Sequence, residues 1–125
     1  MKASEVQVGG SHYKNLKIQP IELITKLRCS FIQGNIIKYI SRYKSKNGLE
    51  DLDKCIHYAR LAIEYGDVRR CKDSEVSVAI NSYIAKNNMT IMQRRIITAA
   101  VYNRYADVIE ICEDLISLTY SEEEI

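Results

Sequence analysis

Tryptophan is absent from this sequence, phenylalanine and proline occur once each, and glycine occurs only five times. With so little turn punctuation, the chain suits helices joined by short connections. No window approaches the length and apolarity of a membrane span. The N-terminal MKASEVQVGG lacks the apolar run of a signal peptide, so a soluble protein of the cytoplasm is expected. Cys29, Cys55, Cys71 and Cys112 are widely spaced, form no C-x-x-C pair and have no histidine at ligand spacing. That pattern excludes a zinc site and points to reduced, structural thiols. The nucleotide-binding signatures G-x-x-x-x-G-K-S/T and G-x-G-x-x-G are missing, as are H-E-x-x-H and G-x-S-x-G. Any nucleotide chemistry must therefore use another scaffold.

What is present is asymmetric. Residues 1–72 carry 14 Lys/Arg against 7 Asp/Glu, whereas residues 73–125 carry 4 against 9, giving +7 and −5 within a net charge of +2. The basic half suits an anionic partner. The overall balance favours a small anion over nucleic acid, although basic and aromatic residues alternate in Lys38-Tyr39 and Arg42-Tyr43-Lys44.

Read along its length, the chain predicts one all-α domain over residues 1–125. Its core is a helical hairpin, further helices follow over residues 74–120, and Val6 and Val8 can form a short N-terminal strand. Pro20 opens a short helix, 20–27, with Ile21, Ile24 and Leu27 as its buried positions. The S-x-x-Q of Ser30 and Gln33 starts the next helix, which runs to Asn47-Gly48 and buries Phe31, Ile32, Ile36, Ile40 and Tyr43. A third helix, 49–65, has its apolar seam at Leu49, Leu52, Ile56, Ala59 and Ile63. Helices over 74–87, 90–102 and 105–119 complete the chain, the second of them opening with T-x-x-Q at Thr90 and Gln93. No internal repeat is evident.

Two polar triplets lie beside the seams of the hairpin. Asn35, Lys38 and Arg42 share one face at i, i+3, i+7, and Asp51, Lys54 and Tyr58 repeat that spacing on the following helix. An antiparallel pair would bring the triplets together. Lysine offers a mobile point charge, arginine a planar fork, asparagine a donor and an acceptor, and tyrosine a ring to stack on a base. These types together suit a phosphate joined to a sugar and base. Gly9-Gly10 precedes His12, which is placed for base contact or proton transfer, while His57 reads as a surface or structural residue. Gly34, poor for a helix, permits close approach of a backbone or ligand. Glu110, Glu113 and Asp114 have a spacing that holds magnesium in all-α nucleotide pyrophosphohydrolases. The second acidic helix of those enzymes is missing, so no metal ligand is assigned.

The order G-G-S-H-Y, Q-P-I-E, then G-N-I-I-K-Y-I-S-R-Y-K-x-K-N-G-L-E-D-L-x-K-x-x-x-Y resembles a family of small tailed-phage proteins of unknown function that are often labelled nucleotide kinases. The resemblance spans roughly residues 9–65. It implies nucleotide contacts at His12, Tyr13, Asn35, Lys38, Tyr39, Arg42, Lys54 and Tyr58, with Asp51 and His12 as candidate catalytic groups. Cys55 stands where the family pattern has alanine. The implied activity is phosphoryl transfer to a deoxynucleoside monophosphate without a P-loop, with ATP and Mg2+ as cofactors. The alternative is a non-catalytic sponge that sequesters a cyclic nucleotide or an ADP-ribose-derived immune signal of bacterial antiphage defence. Either protein would work in the host bacterial cytoplasm as a homo-oligomer.

Overall fold

The structure is a computed structural model that describes residues 2–5, 16–71 and 73–120. After a 3-10 turn at Ala3–Glu5 come six α-helices: α1 Pro20–Leu27, α2 Phe31–Arg42, α3 Leu49–Tyr65, α4 Asp73–Lys86, α5 Ile91–Val101 and α6 Tyr105–Tyr120. Among the described residues there is no strand, and the fold is all-α. The possible strand at Val6 and Val8 lies outside the described residues, as do His12 and Tyr13. No helix in the described residues is long and apolar enough to cross a membrane.

Local chemistry sets the helix ends. Ser30 Oγ accepts from the Gln33 backbone N–H at 3.1 Å, while the Ser30 N–H donates to Gln33 Oε1 at 2.8 Å. Thr90 and Gln93 do the same at 3.2 and 2.9 Å. Each box satisfies two backbone donors that a helix start leaves open. The helix α2 stops at Arg42, short of the Asn47 expected from periodicity. Both the backbone N–H and the hydroxyl of Ser45 take the Arg42 carbonyl, at 2.9 and 3.2 Å, closing a turn that competes with further helix. Gly48 then adopts φ +53°, and a Cβ there would sit 2.9 Å from Tyr120 Oη. The backbone angle favours glycine at that point, and the Tyr120 hydroxyl would have to shift for any larger residue.

The buried arcs differ from the simple helical faces. On α1 the buried residues are Pro20, Leu23 and Leu27, and Ile21 is exposed. On α2 they include Gln33, Ile36, Ile37 and Ile40, whereas Phe31 is 77% exposed. On α3 the seam is Leu52, Cys55, Ile56, Ala59 and Ala62, with Leu49 and Ile63 outside it. The reason is that α2 packs against α1, α3 and α5 at once, so its covered arc is wider than one stripe and centred elsewhere.

The chain also repeats itself, against the reading of its sequence. Shifting by 60 residues superposes the start of α2 on that of α5: Arg28 on Asn88, Ser30 on Thr90, Gln33 on Gln93, Ile36 on Ile96 and Ile37 on Ile97. Arg28 and Asn88 both take left-handed φ, +54° and +55°, and the next N–H in each case bonds back to Ile24 or Ile84 at 3.0 Å. The two halves, α1–α3 and α4–α6, meet through like helices: α1 with α4, α2 with α5, α3 with α6. Gln33 Nε2 donates to the Ala100 carbonyl at 3.2 Å, and Gln93 Nε2 donates to the Ile40 carbonyl at 2.9 Å. Since Gln33 matches Gln93 and Ile40 matches Ala100, this exchange is the signature of an approximate two-fold axis between α2 and α5. Each helix start thereby satisfies a carbonyl near the end of the other.

Candidate functional site

Along the groove between α2 and α3, Lys38, Arg42, Lys54 and Tyr58 gather around the Tyr39 ring, while Asn35 faces a cavity on the α1 side and Asp51 is buried. Lys38 Nζ lies 4.4 Å from the Tyr39 ring centroid, Arg42 Cζ 4.7 Å and Lys54 Nζ 4.9 Å. The Tyr58 ring stacks on Tyr39 with centroids 6.0 Å apart and 19° between planes. Phe31 meets Tyr58 edge-on at 6.2 Å, and His57 does so from α3 itself at 6.1 Å. One ring therefore faces three cations, and each cation–π contact near the surface contributes only about 0.5–1 kcal/mol.

The three charges are balanced unequally. Arg42 holds Asp51 through Nη2 at 3.2 Å and Nε at 3.3 Å, and Asp51 Oδ2 also accepts from the Asn47 N–H at 3.3 Å. The Arg42 side chain is 11% exposed and that of Asp51 is 0% exposed. This pair is a fixed internal strut. Lys54 has a looser partner in Glu50 at 3.6 Å. Lys38 has no carboxylate within 4.0 Å among the described residues. The groove thus presents a net positive, partly apolar surface whose arginine is held still from behind.

Asn35 is buried and donates its amide N–H to the Phe31 carbonyl at 2.9 Å, which locks its orientation. Beside it, between α1 and α2, opens a cavity of about 290 Å3 lined by Pro20, Ile21, Ile24, Phe31 and Gly34, with Gln19, Asn35 and Lys38 at its polar edge. Gly34 earns its place here. A Cβ at that position would come within 3.2 Å of Ile24 Cγ2, so glycine lets α1 lie close against α2. Lys38 belongs both to this cavity and to the cation cluster.

The expected site residues are therefore distributed as follows. Lys38, Tyr39, Arg42, Lys54 and Tyr58 share the groove, Asn35 lines the neighbouring cavity between α1 and α2, and Asp51 stands behind as the counter-ion of Arg42. His12 and Tyr13 lie outside the described residues. Sequence periodicity missed Phe31 and Ile21 as wall residues because it assigned both to the core. Their exposure depends on where α1 lands. Asn35 is buried and the Arg42 side chain only 11% exposed, so of that triplet Lys38 is the member most open to a ligand.

Elsewhere the titratable groups offer no rival centre. Burial pushes the Cys29 thiol up to about 12 and the Cys55 thiol well above its ordinary value, while Cys71 is raised by the same cause. These sulfurs stay protonated and are poor nucleophiles near neutrality. Among the described residues, no three His, Cys, Asp or Glu side chains converge as metal ligands would. Glu110, Glu113 and Asp114 are exposed on α6.

The groove and its hairpin define an all-α scaffold with a cationic, aromatic surface. A domain of unknown function, DUF3310, is found at residues 8–60, which takes in α1, α2 and most of α3. No curated protein and no solved structure matches the chain.

Proposed function

We propose that the α2–α3 groove binds a nucleotide, with phosphate held by Lys38 and Lys54 beside the braced Arg42, and the base entering the apolar cavity beside Phe31. The observation that carries this reading is Lys38, shared by a three-cation cluster and a pocket large enough for a planar ring. Phosphate needs charge without proton transfer, which two lysines and a braced guanidinium supply.

The leading activity is phosphoryl transfer to a nucleoside monophosphate, in keeping with the resemblance to the phage family labelled nucleotide kinase. Such transfer relies on positioning and charge neutralisation, with ATP and Mg2+ as co-reactants. The burial of Asp51 favours a second reading. A carboxylate committed to Arg42 and Asn47 is poorly placed to orient an acceptor hydroxyl. A phage-encoded sponge for a nucleotide signal of antiphage defence would need only the binding groove. Under either reading the protein acts in the host bacterial cytoplasm and as an assembly of copies.

Calorimetric titration with nucleoside mono-, di- and cyclic nucleotides tests the site. Lys38→Ala and Lys54→Ala should each weaken binding by about 1.5–3 kcal/mol, the worth of hydrogen bonds to a charged group. Melting temperature should barely move, since neither side chain is buried. Conversion of labelled monophosphate to diphosphate with ATP identifies the kinase. Recovery of unaltered nucleotide after heating identifies the sponge. Full affinity in the Lys38/Lys54 double variant would place the ligand elsewhere and end both readings.

A further inference from the structure

The approximate two-fold gives the α2–α3 groove a counterpart between α5 and α6. With the 60-residue shift on α2 and a shift of 56 on α3 (Leu52 to Val108, Ile56 to Cys112), its residues follow position by position. Asn35 becomes Arg95, Lys38 becomes Thr98, Tyr39 becomes Ala99, Lys54 becomes Glu110 and Tyr58 becomes Asp114. A groove is present there, with a volume of about 540 Å3. It has lost the stacked tyrosines and both lysines.

Its charges are arranged by element. Arg94 and Arg95 line the α5 side, and Asp107, Glu110 and Asp114 line the α6 side, with Arg104 at the turn. All six are exposed, and among the described residues none pairs with another within 4.0 Å. Three positive and three negative groups give no net preference for an anion, and the carboxylates do not converge on a metal. A positive row beside a parallel negative row has a different property. It is complementary to itself after a half-turn, which lays the α5 of one copy on the α6 of another. The rows end in exposed apolar residues, Ile91 at 74% and Leu118 at 79%, which a second copy would cover.

We infer that the α5–α6 groove is a two-fold interface with a second copy of this chain, joined by Arg94 and Arg95 of each protomer to Glu110 and Asp114 of its partner. This deepens the assembly part of the proposed function. It is independent of nucleotide binding, which uses the other groove.

Sedimentation equilibrium on the full chain tests it. In about 0.05 M salt the wild type should be a dimer at micromolar concentration. In about 0.5 M salt, where the screening length falls to about 4 Å, the dissociation constant should rise at least tenfold. Arg94→Glu/Arg95→Glu and Glu110→Arg/Asp114→Arg should each be monomeric, because each places like charges on both rows of a homodimer. Mixed in equal amounts, the two variants should form a heterodimer, since both contacts are then again opposite in sign. All four positions are exposed, and circular dichroism checks that each variant folds. A monomeric wild type in low salt, charge variants that self-associate like the wild type, or a mixture that stays monomeric would each overturn the interface. The Arg94/Arg95 variant should retain wild-type nucleotide affinity. Loss of binding in Lys38→Ala with the dimer intact would bear only on the nucleotide groove.

Discussion

At position 39 the first half carries a tyrosine under three cations, while the matching position in the second half is Ala99, small and buried. Arg42 and Asp51 form a covered ion pair, and their counterparts Tyr102 and Asp107 are both exposed. Yet the helix starts, the left-handed turns before them and the amide-to-carbonyl ties are the same in both halves. Backbone plan and site chemistry are therefore separable in this protein. The plan is written in caps and small apolar residues near the axis, and the chemistry in a handful of outward positions.

The comparison can be broken most forcefully at the ion pair. Arg42→Ala leaves the Asp51 carboxylate buried without its cation and should destabilise the fold by about 3–5 kcal/mol. Asp107→Ala, at the exposed counterpart of Asp51, should change stability by no more than about 0.5 kcal/mol. Urea denaturation of both variants measures the contrast, and equal losses would mean that the halves are not specialised as described. The two glutamines sharpen it next. Gln33 Nε2 has four acceptors within 3.3 Å, on Arg69, Ala100, Val101 and Asn103, whereas Gln93 Nε2 has one, Ile40. Both substitutions to alanine should cost about 1–3 kcal/mol for stranded buried acceptors, with Gln33→Ala the larger. A reversed order would show that the α5 end is not the stiffer joint.

Near neutral pH the smallest effect concerns Cys29, whose counterpart is the non-titrating Met89. The unfolded thiol ionises near 9, while the folded one holds its proton to about 12. The folded state then binds more protons across that window, so stability present below pH 9 should fall as pH rises towards 12. Cys29→Ala should flatten that decline, and an unchanged slope would assign it to other raised groups such as Tyr43.

Much of the fold was legible in the residues. Ser30 and Thr90 announced two capping boxes, Pro20 marked a helix start, and Lys38, Arg42, Lys54 and Tyr58 from the two triplets did gather around one ring. The repeat was missed because matching Gln33 with Gln93 requires knowing that both amides reach beyond their own helix. Few other side chains are shared between the halves. Asp51 was placed among the candidate catalytic groups, and its spacing alone does not show that it is buried. Its burial follows from the turn over residues 43–48, which folds Asn47 and Arg42 onto it. The cavity beside Phe31 was illegible because it belongs to the angle between α1 and α2, which periodicity alone does not contain.

The paired glutamines have a consequence for motion. If α5 frays at its start, the Ile40 carbonyl on α2 loses its donor. If α2 frays at its start, the Val101 carbonyl loses the Gln33 amide and that of Ala100 keeps only its local backbone donors. Neither helix can open alone without exposing polar atoms in the other. Amide protons along α2 and α5 should accordingly exchange with solvent as a single unit, at one shared free energy, although sixty residues of chain separate them.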